Sequence, residues 1–326
     1  MTSDALVDVR TPTYRRPDML YRALSSLIEQ THQHWQCRVF DDDPDGAGEK
    51  VVAALKDLRI KYHHNRPQNF ASKNIDKCFS SVSQDDAEYF CVLEDDNFLL
   101  PGFMQANIAA CRDRGVEIVL RNQLIEHASG TDRARLSAGG VLDSLFTERT
   151  YEPSLFRLSL LAGIGVSNGG LFWSRRAVSK LEIGHRCTAT LQEYLRTYSI
   201  AEPIHVAMEP LAVWAENAEL TTRNNEISAG YLRRELDLKR SVQRLQRSVW
   251  MNTEPKIRDD FLYGAAFAAP AQVRARNICK ALIFAPIGSA LPLTEQLALG
   301  LRGLAIAALG RTTDDFRLFM ASRQRA

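Results

Sequence analysis

Over its first 120 residues the chain alternates short apolar runs with segments in which apolar side chains recur every three or four positions. Residues 6–9 predict a short strand, followed by a turn over residues 11–17. Asp18 then opens a helix whose apolar positions are Leu20, Leu24, Leu27 and Ile28. Residues 36–40 predict a second strand, stopped by Asp41, Asp42, Asp43, Pro44, Asp45 and Gly46. A helix over 49–58, a strand over 60–63 and a helix over 72–82 come next. Residues 89–93 are apolar at every position, which predicts a strand buried on both faces. A helix over 103–114 and a strand over 116–120 complete the series. Such a rhythm predicts an α/β fold, a mostly parallel sheet with helices on both faces.

The pattern becomes irregular after residue 121. Residues 163–173 are rich in glycine and then apolar, which predicts a loop running into a strand. A backbone with that much glycine can approach a ligand closely. Residues 191–198 predict a helix. From about residue 226 the character changes: Leu238, Val242, Leu245 and Val249 form a helical stripe, with Arg233, Arg240, Arg244 and Arg247 on a neighbouring face. The apolar stretch 279–309 is broken by Pro286, Gly288 and Pro292. The expected division is therefore an α/β body over 1–225 and a helical, basic extension over 226–326.

Charge sharpens that division. Residues 230–326 hold 16 Lys/Arg against 8 Asp/Glu, and residues 1–229 hold 25 against 31, so a tail of +8 is joined to a body of −6. An acidic body argues against nucleic acid as a partner, and a basic amphipathic tail suits an anionic membrane surface or packing on the body. The six cysteines lack any C-x-x-C pair, and several sit in apolar runs, which predicts buried thiols in a reducing compartment. With no secretory signal pattern and no apolar run of spanning length, a cytoplasmic location is expected, peripheral at the inner face of the cell membrane if the tail binds lipid.

Two of the predicted strands end in acid clusters, Asp41-Asp42-Asp43 and Glu94-Asp95-Asp96. Three adjacent carboxylates repel unless solvated or balanced by a cation, so the plain alternative is an acidic turn in water. In a parallel sheet, however, both clusters lie on the same edge, together with Tyr14, Arg15 and Arg16 after the first strand. An aromatic face, acids for a base or ribose, an acid for a hard cation and nearby guanidinium groups describe a site for a nucleoside diphosphate.

Thr11-Pro12-Thr13-Tyr14, the helix ending Leu27-Ile28-Glu29-Gln30-Thr31, and Val39-Phe40-Asp41-Asp42 resemble the opening of the family 2 glycosyltransferases, which have the GT-A fold. Leu93-Glu94-Asp95-Asp96-Asn97 resembles that family's metal-binding D-x-D element, Leu191-Gln192-Glu193-Tyr194-Leu195-Arg196 its later acidic motif, and Glu209-Pro210-Leu211-Ala212-Val213-Trp214 the strand that follows. The resemblance spans about residues 6–216. It implies that Thr11, Tyr14, Asp42, Lys73 and Glu94 bind the donor nucleotide, that Asp96 is the ligand for Mn²⁺ or Mg²⁺, and that Glu193 is the catalytic base. It further implies inverting transfer of a sugar from a nucleotide-diphosphate donor to a glycan or lipid-linked acceptor, in surface polysaccharide or glycolipid assembly.

The chain departs from the family pattern at several of these points. Glu94 and Glu193 stand where aspartate is usual, Gln192 precedes Glu193 where a second acid is usual, Arg15 stands for asparagine, and Asn69-Phe70-Ala71-Ser72 replaces a glycine-rich loop. Two rival readings are a sugar-nucleotide nucleotidyltransferase and a non-catalytic sugar- or membrane-binding scaffold with the same fold. The first would carry a glycine-rich basic loop directly after the first strand, where this chain has Thr11-Pro12-Thr13-Tyr14. The second would lack the metal acid or the base, and both Asp96 and Glu193 are present.

Overall fold

The computed structural model describes residues 5–82, 85–162, 166–216, 229–283, 290–310 and 318–321. The first half alternates strand and helix: β1 (Val7–Thr13), α1 (Pro17–Ile28), β2 (Trp35–Asp41), α2 (Ala47–Leu55), β3 (Ile60–His64), α3 (Ala71–Lys77), β4 (Tyr89–Val92), β5 (Phe98–Leu99) and α4 (Phe103–Arg114). Then come β6 (Ile118–His127), β7 (Arg135–Gly140), β8 (Arg149–Tyr151), α5 (Pro153–Arg157), β9 (Leu171–Ser174), α6 (Ala189–Ser199) and β10 (Ile204–Ala215). Four helices follow: α7 (Ala229–Met251), α8 (Pro255–Tyr263), α9 (Ala271–Leu282) and α10 (Leu293–Leu309).

The main sheet runs in the order β3-β2-β1-β4-β9-β6-β10-β5. Its first four strands are parallel, as the βαβ rhythm requires, so their carboxyl ends share one edge. Beyond them the sheet is mixed: β9 is antiparallel to both β4 and β6, while β6 and β10 are parallel. Strand β4 shows why an unbroken apolar run is needed here. Tyr89 and Cys91 pack with helices α1 and α4 on one face, whereas Phe90 and Val92 join Trp173 and helix α6 on the other.

Two local expectations change. Strand β1 runs on through Thr13, where a turn is expected, because Thr11, Pro12 and Thr13 stay in register with Val39, Phe40 and Asp41. Proline is tolerated there because pairing with β4 ends at Arg10 and Val92, leaving Pro12 beyond the ladder on that side. Helix α3 ends at Lys77 rather than near residue 82. The Arg10 guanidinium gathers the carbonyls of Cys78 (3.4 Å), Ser80 and Val82 (2.7 Å), which holds this segment out of the helix.

The C-terminal helices share the core of the body. Leu245 and Val249 of α7, Phe261 of α8 and Ile278 of α9 belong to the same apolar cluster as Phe146, Tyr151, Leu160 and Leu195. This buries the stripe expected from the leucine and valine spacing. Pro286 and Gly288, expected to break the last apolar stretch, lie outside the described residues, as do Gly163 and Gly165. Among the described residues no helix is long and apolar enough to cross a membrane.

Candidate active site

Strands β1, β2 and β4 deliver Thr13–Arg16, Asp41–Asp43 and Glu94–Asp96 to one sheet edge. The three aspartates after β2 divide their tasks. Asp41 accepts from the amides of Asp43 (2.8 Å) and Gly48 (3.0 Å) and from the Tyr62 hydroxyl (3.0 Å), so it fastens α2 to the sheet. Asp43 accepts from the amides of Asp45 and Ala47 and from Arg15 Nε (3.2 Å). Burial pushes its carboxyl up, but those donors outweigh burial and hold it below the usual range.

Asp42 differs from both. Its Oδ1 accepts from Asn65 Nδ2 (2.8 Å) and the Asn69 amide (3.0 Å), while its Oδ2 is buried with no hydrogen-bond partner among the described residues. A buried carboxylate oxygen left unpaired is costly and calls for a donor that the described residues do not supply. Asn74, next to Lys73, supports the arrangement by accepting from Asn65 (2.9 Å) and donating to the Phe40 carbonyl (2.9 Å). Lys73 itself is exposed on the first turn of α3.

The three acids after β4 also separate. Asp95 is buried and fully engaged: Oδ2 accepts from Thr13 Oγ1 (2.8 Å) and the Tyr14 amide (3.4 Å), and Oδ1 from Arg16 (3.2 Å). Asp96 is less buried and receives the same guanidinium nitrogen of Arg16 at 2.7 Å. Glu94 accepts from Asn97 (3.2 Å) and Asn168 (3.4 Å). Burial, then the charges of Asp96 and Glu193, push the Glu94 carboxyl well up. Asp95 is raised by burial and by Asp96, against the pull of Arg16.

Glu193 comes to the same place from α6, whose first turn is capped by Thr188 Oγ1 accepting from the Leu191 amide (3.2 Å). Its charge acts on Glu94, and burial raises its own carboxyl to about 7 against the lowering effect of Arg196. Arg196 lies one turn further along the helix and is wholly buried. It donates to Asp76 (2.8 Å), Asn168 Oδ1 (2.9 Å) and the Leu181 carbonyl (3.1 Å), and its guanidinium sits 3.7 Å over the Phe79 ring. Asn168 thus links Arg196 to Glu94, tying the acid helix to the acid cluster.

Of the residues singled out from sequence, Tyr14, Asp42, Glu94, Asp96 and Glu193 are brought to this edge. Tyr14 is exposed, with Arg15 stacked 5.3 Å from its ring centroid. Arg15 itself has φ +54°, a left-handed conformation that asparagine adopts at lower cost. Thr11 lies two residues inside β1, buried, with its hydroxyl 3.5 Å from Cys37 Sγ, and Thr13 is the threonine at the edge. Trp173 is core, stacked between Phe79 and Phe90, and Trp214 is partly exposed on β10. His205 is buried at the start of β10, whereas that strand reaches the acid cluster at its other end, where the Ala215 amide donates to Asn97 (3.0 Å). Arg16, expected as a phosphate cation, is at this edge too; Thr13, Asn168, Arg196 and Asp76 were not singled out, although Arg196, one turn from Glu193, shares its helix face.

Among the described residues no group of three or more His, Cys, Asp or Glu side chains is arranged to hold a metal ion. The edge offers hard oxygen donors, but Asp95 is committed to Thr13, Tyr14 and Arg16, and Glu94 to two asparagines. Asp96, held by Arg16 at the more open side of the cluster, is the carboxylate best placed to take a cation. One carboxylate is compatible with Mg²⁺ or Mn²⁺, which commonly take one or two carboxylates and complete their shell with substrate phosphates and water.

Comparison with known proteins gives consistent results. The family described as "Glycosyl transferase family 2" matches residues 8–179, more than half of the chain. Protein CgeD of Bacillus subtilis is 25% identical over 177 residues, 51% of this chain and 41% of that protein. The putative colanic acid biosynthesis glycosyl transferase WcaA of Escherichia coli is 25% identical over 130 residues, 39% of this chain and 42% of that protein. The chain therefore matches about two fifths of the length of either relative. Among solved structures, S. aureus TarS 1-349 in complex with UDP-GlcNAc superposes with a TM-score of 0.56 at 15% identity, covering 98% of this chain and 91% of that one. A further TarS structure gives 0.57 at 14% identity, over 97% of this chain and 55% of the other. At that identity the likeness concerns the GT-A fold.

Proposed function

This chain belongs to glycosyl transferase family 2, and from that premise we propose that it transfers a sugar from a nucleotide-diphosphate donor to a hydroxyl of a glycan or lipid-linked acceptor. The observation that carries the donor assignment is the buried, unpaired Oδ2 of Asp42 at the sheet edge. An N–H on the edge of a base would satisfy it, Tyr14 offers an exposed ring for stacking, and Glu94 would contact the ribose. Lys73 is the cation on the α3 side, free to approach the diphosphate, while Thr11 acts inside β1. Residues 1–225 would hold donor and acceptor, and residues 226–326 would form the helical extension. The UDP-GlcNAc complex of TarS and the colanic acid biosynthesis of the putative transferase WcaA support a nucleotide sugar and surface polysaccharide assembly.

Transfer requires a bond to form between the acceptor oxygen and the anomeric carbon while the bond from that carbon to the diphosphate breaks. The electron pair leaves with the diphosphate, and the acceptor proton must go to a base. Glu193 suits that role, because a carboxyl raised to about 7 by burial can hold a proton near neutral pH. One base and a single displacement would invert the anomeric centre. Asp96 would hold Mn²⁺ or Mg²⁺ together with the donor phosphates, where the cation would offset the charge gathering on the leaving group. Arg16, paired with Asp96 in the structure, would then turn its guanidinium toward the diphosphate.

Asp42→Asn tests the reading. The asparagine oxygen can keep the bonds from Asn65 and Asn69, but its amide cannot accept from a base. Calorimetric titration should show nucleotide-sugar affinity falling about tenfold or more, with a melting temperature close to wild type. Unchanged affinity would remove Asp42 from the donor site.

A further inference from the structure

Helix α10 packs through its small side chains and leaves several large ones exposed. Its buried residues are Gly300 and Gly303. A Cβ at Gly303 would lie 2.4 Å from the Lys280 carbonyl, and Gln243 Nε2 donates to that carbonyl and to the Gly303 carbonyl at 2.8 Å each. Glycine is required on this side because α7, α9 and α10 approach backbone to backbone. Four leucines flank this contact with their side chains exposed: Leu293 is 69% exposed, Leu297 48%, Leu301 60% and Leu304 48%. At 3.6 residues per turn these four fall within about 80° of one another, along a helix about 25 Å long.

Cations stand near this stripe, on α7, on α9 and on the far face of α10, and Arg233 is paired with Asp237 (3.2 Å). Arg302 is exposed on α10 itself, and Arg276 and Lys280 stand on α9. Glu295 is the single acid of α10 and is paired with Arg276 (2.6 Å). Lys280 is held below the usual lysine range by burial and then by Arg302 and Arg276. At the other end of the helix, Arg233 donates to the Leu309 carbonyl (3.0 Å), and Arg240 packs at Gly310 with Arg244 and Arg247 near it.

We propose that the α10 leucine stripe is a docking surface for an anionic lipid bilayer, with the leucines entering the acyl boundary and the arginines meeting the headgroups. Charge decides this occupant over a second copy of the chain, whose own α10 would bring the same cations face to face. Size agrees, since four leucines on one helix fall well short of the ~20–30 residues per side of a stable protein–protein interface. A stripe of this kind lies in the plane of the membrane rather than across it.

Cosedimentation of the full chain with vesicles tests the proposal. Wild type should bind vesicles of phosphatidylcholine with 30% phosphatidylglycerol and not phosphatidylcholine alone. The variant Leu297→Gln/Leu301→Gln should weaken partitioning about tenfold or more. Arg302→Gln should weaken it about fivefold, and 0.5 M salt should mimic that loss. Both variants change exposed residues, and an unchanged melting curve confirms that they fold. No binding by wild type, equal binding to both vesicle types, or full binding by the leucine variant would overturn the proposal. A leucine variant that changes molecular mass in sedimentation equilibrium, with vesicle binding intact, would overturn it in favour of an interface between copies.

Discussion

Glu193 and Asp42 both carry a carboxylate where burial makes charge costly, and each cost points to a task. For Glu193 the consequence is measurable in two ways. Its carboxyl titrates near 7 in the folded chain against an ordinary 4.5, so folding favours the protonated form. The sign follows: the stability it contributes is complete below about 4.5 and is lost as pH rises through about 7. Glu193→Gln escapes that loss, so its melting temperature should rise above wild type at pH 8 and match it near pH 5. The same variant should lose transfer by about 10²–10⁴-fold while keeping nucleotide-sugar affinity. In wild type, kcat/KM should climb with pH through about 7. A Gln variant with wild-type turnover would assign the base elsewhere. The acid triplet after β4 was legible in sequence as a site, because three adjacent carboxylates at the end of a buried strand repel one another until a cation or ligand balances them. The division of labour within it was not, because Thr13 and Arg16, which occupy Asp95, come from about 80 residues away.

At the scale of elements, the strands and helices of the first half follow their periodicity closely, and α4 matches its expected bounds of residues 103–114. The departures come from tertiary partners that no local window contains. Strand β1 continues over Pro12 because β4 has already left its side, and α3 stops early because Arg10 takes the carbonyls that follow. The same holds for the joint between α6 and α3, where Arg196 reaches Asp76 across 120 residues. A buried ion pair that loses one partner leaves the other charge stranded, at a cost of ~3–5 kcal/mol. Arg196→Met should therefore lower unfolding free energy by about that amount in urea titration, and Asp76→Asn in the same background should recover part of it. If Arg196→Met is as stable as wild type, the pair does not fasten α6.

Taken as a whole, the molecule carries one apolar core across the point where its charge and periodicity change. The sequence marks residue 226 by a shift to basic helix, yet α7, α8 and α9 complete the core beneath α5 and α6. Removing residues 226–326 uncovers Phe146, Phe156, Leu160 and Leu195, so the truncated chain should aggregate or melt far below the full one in a thermal scan. A soluble fragment with the wild-type melting temperature would show the body to be self-sufficient. The sequence could not reveal this shared core, since periodicity shows that a helix has an apolar stripe and not which surface receives it.

On this proposal the edge formed by β1, β2 and β4 holds a nucleotide-diphosphate sugar with a divalent cation at Asp96. Calorimetric titration of a panel of nucleotide sugars into the full chain, with and without Mn²⁺, tests it most directly. At least one donor should bind, with affinity falling about tenfold or more when Mn²⁺ is withheld or Asp96 is replaced by alanine. Binding by no nucleotide sugar, or binding indifferent to both Mn²⁺ and Asp96→Ala, would contradict the account.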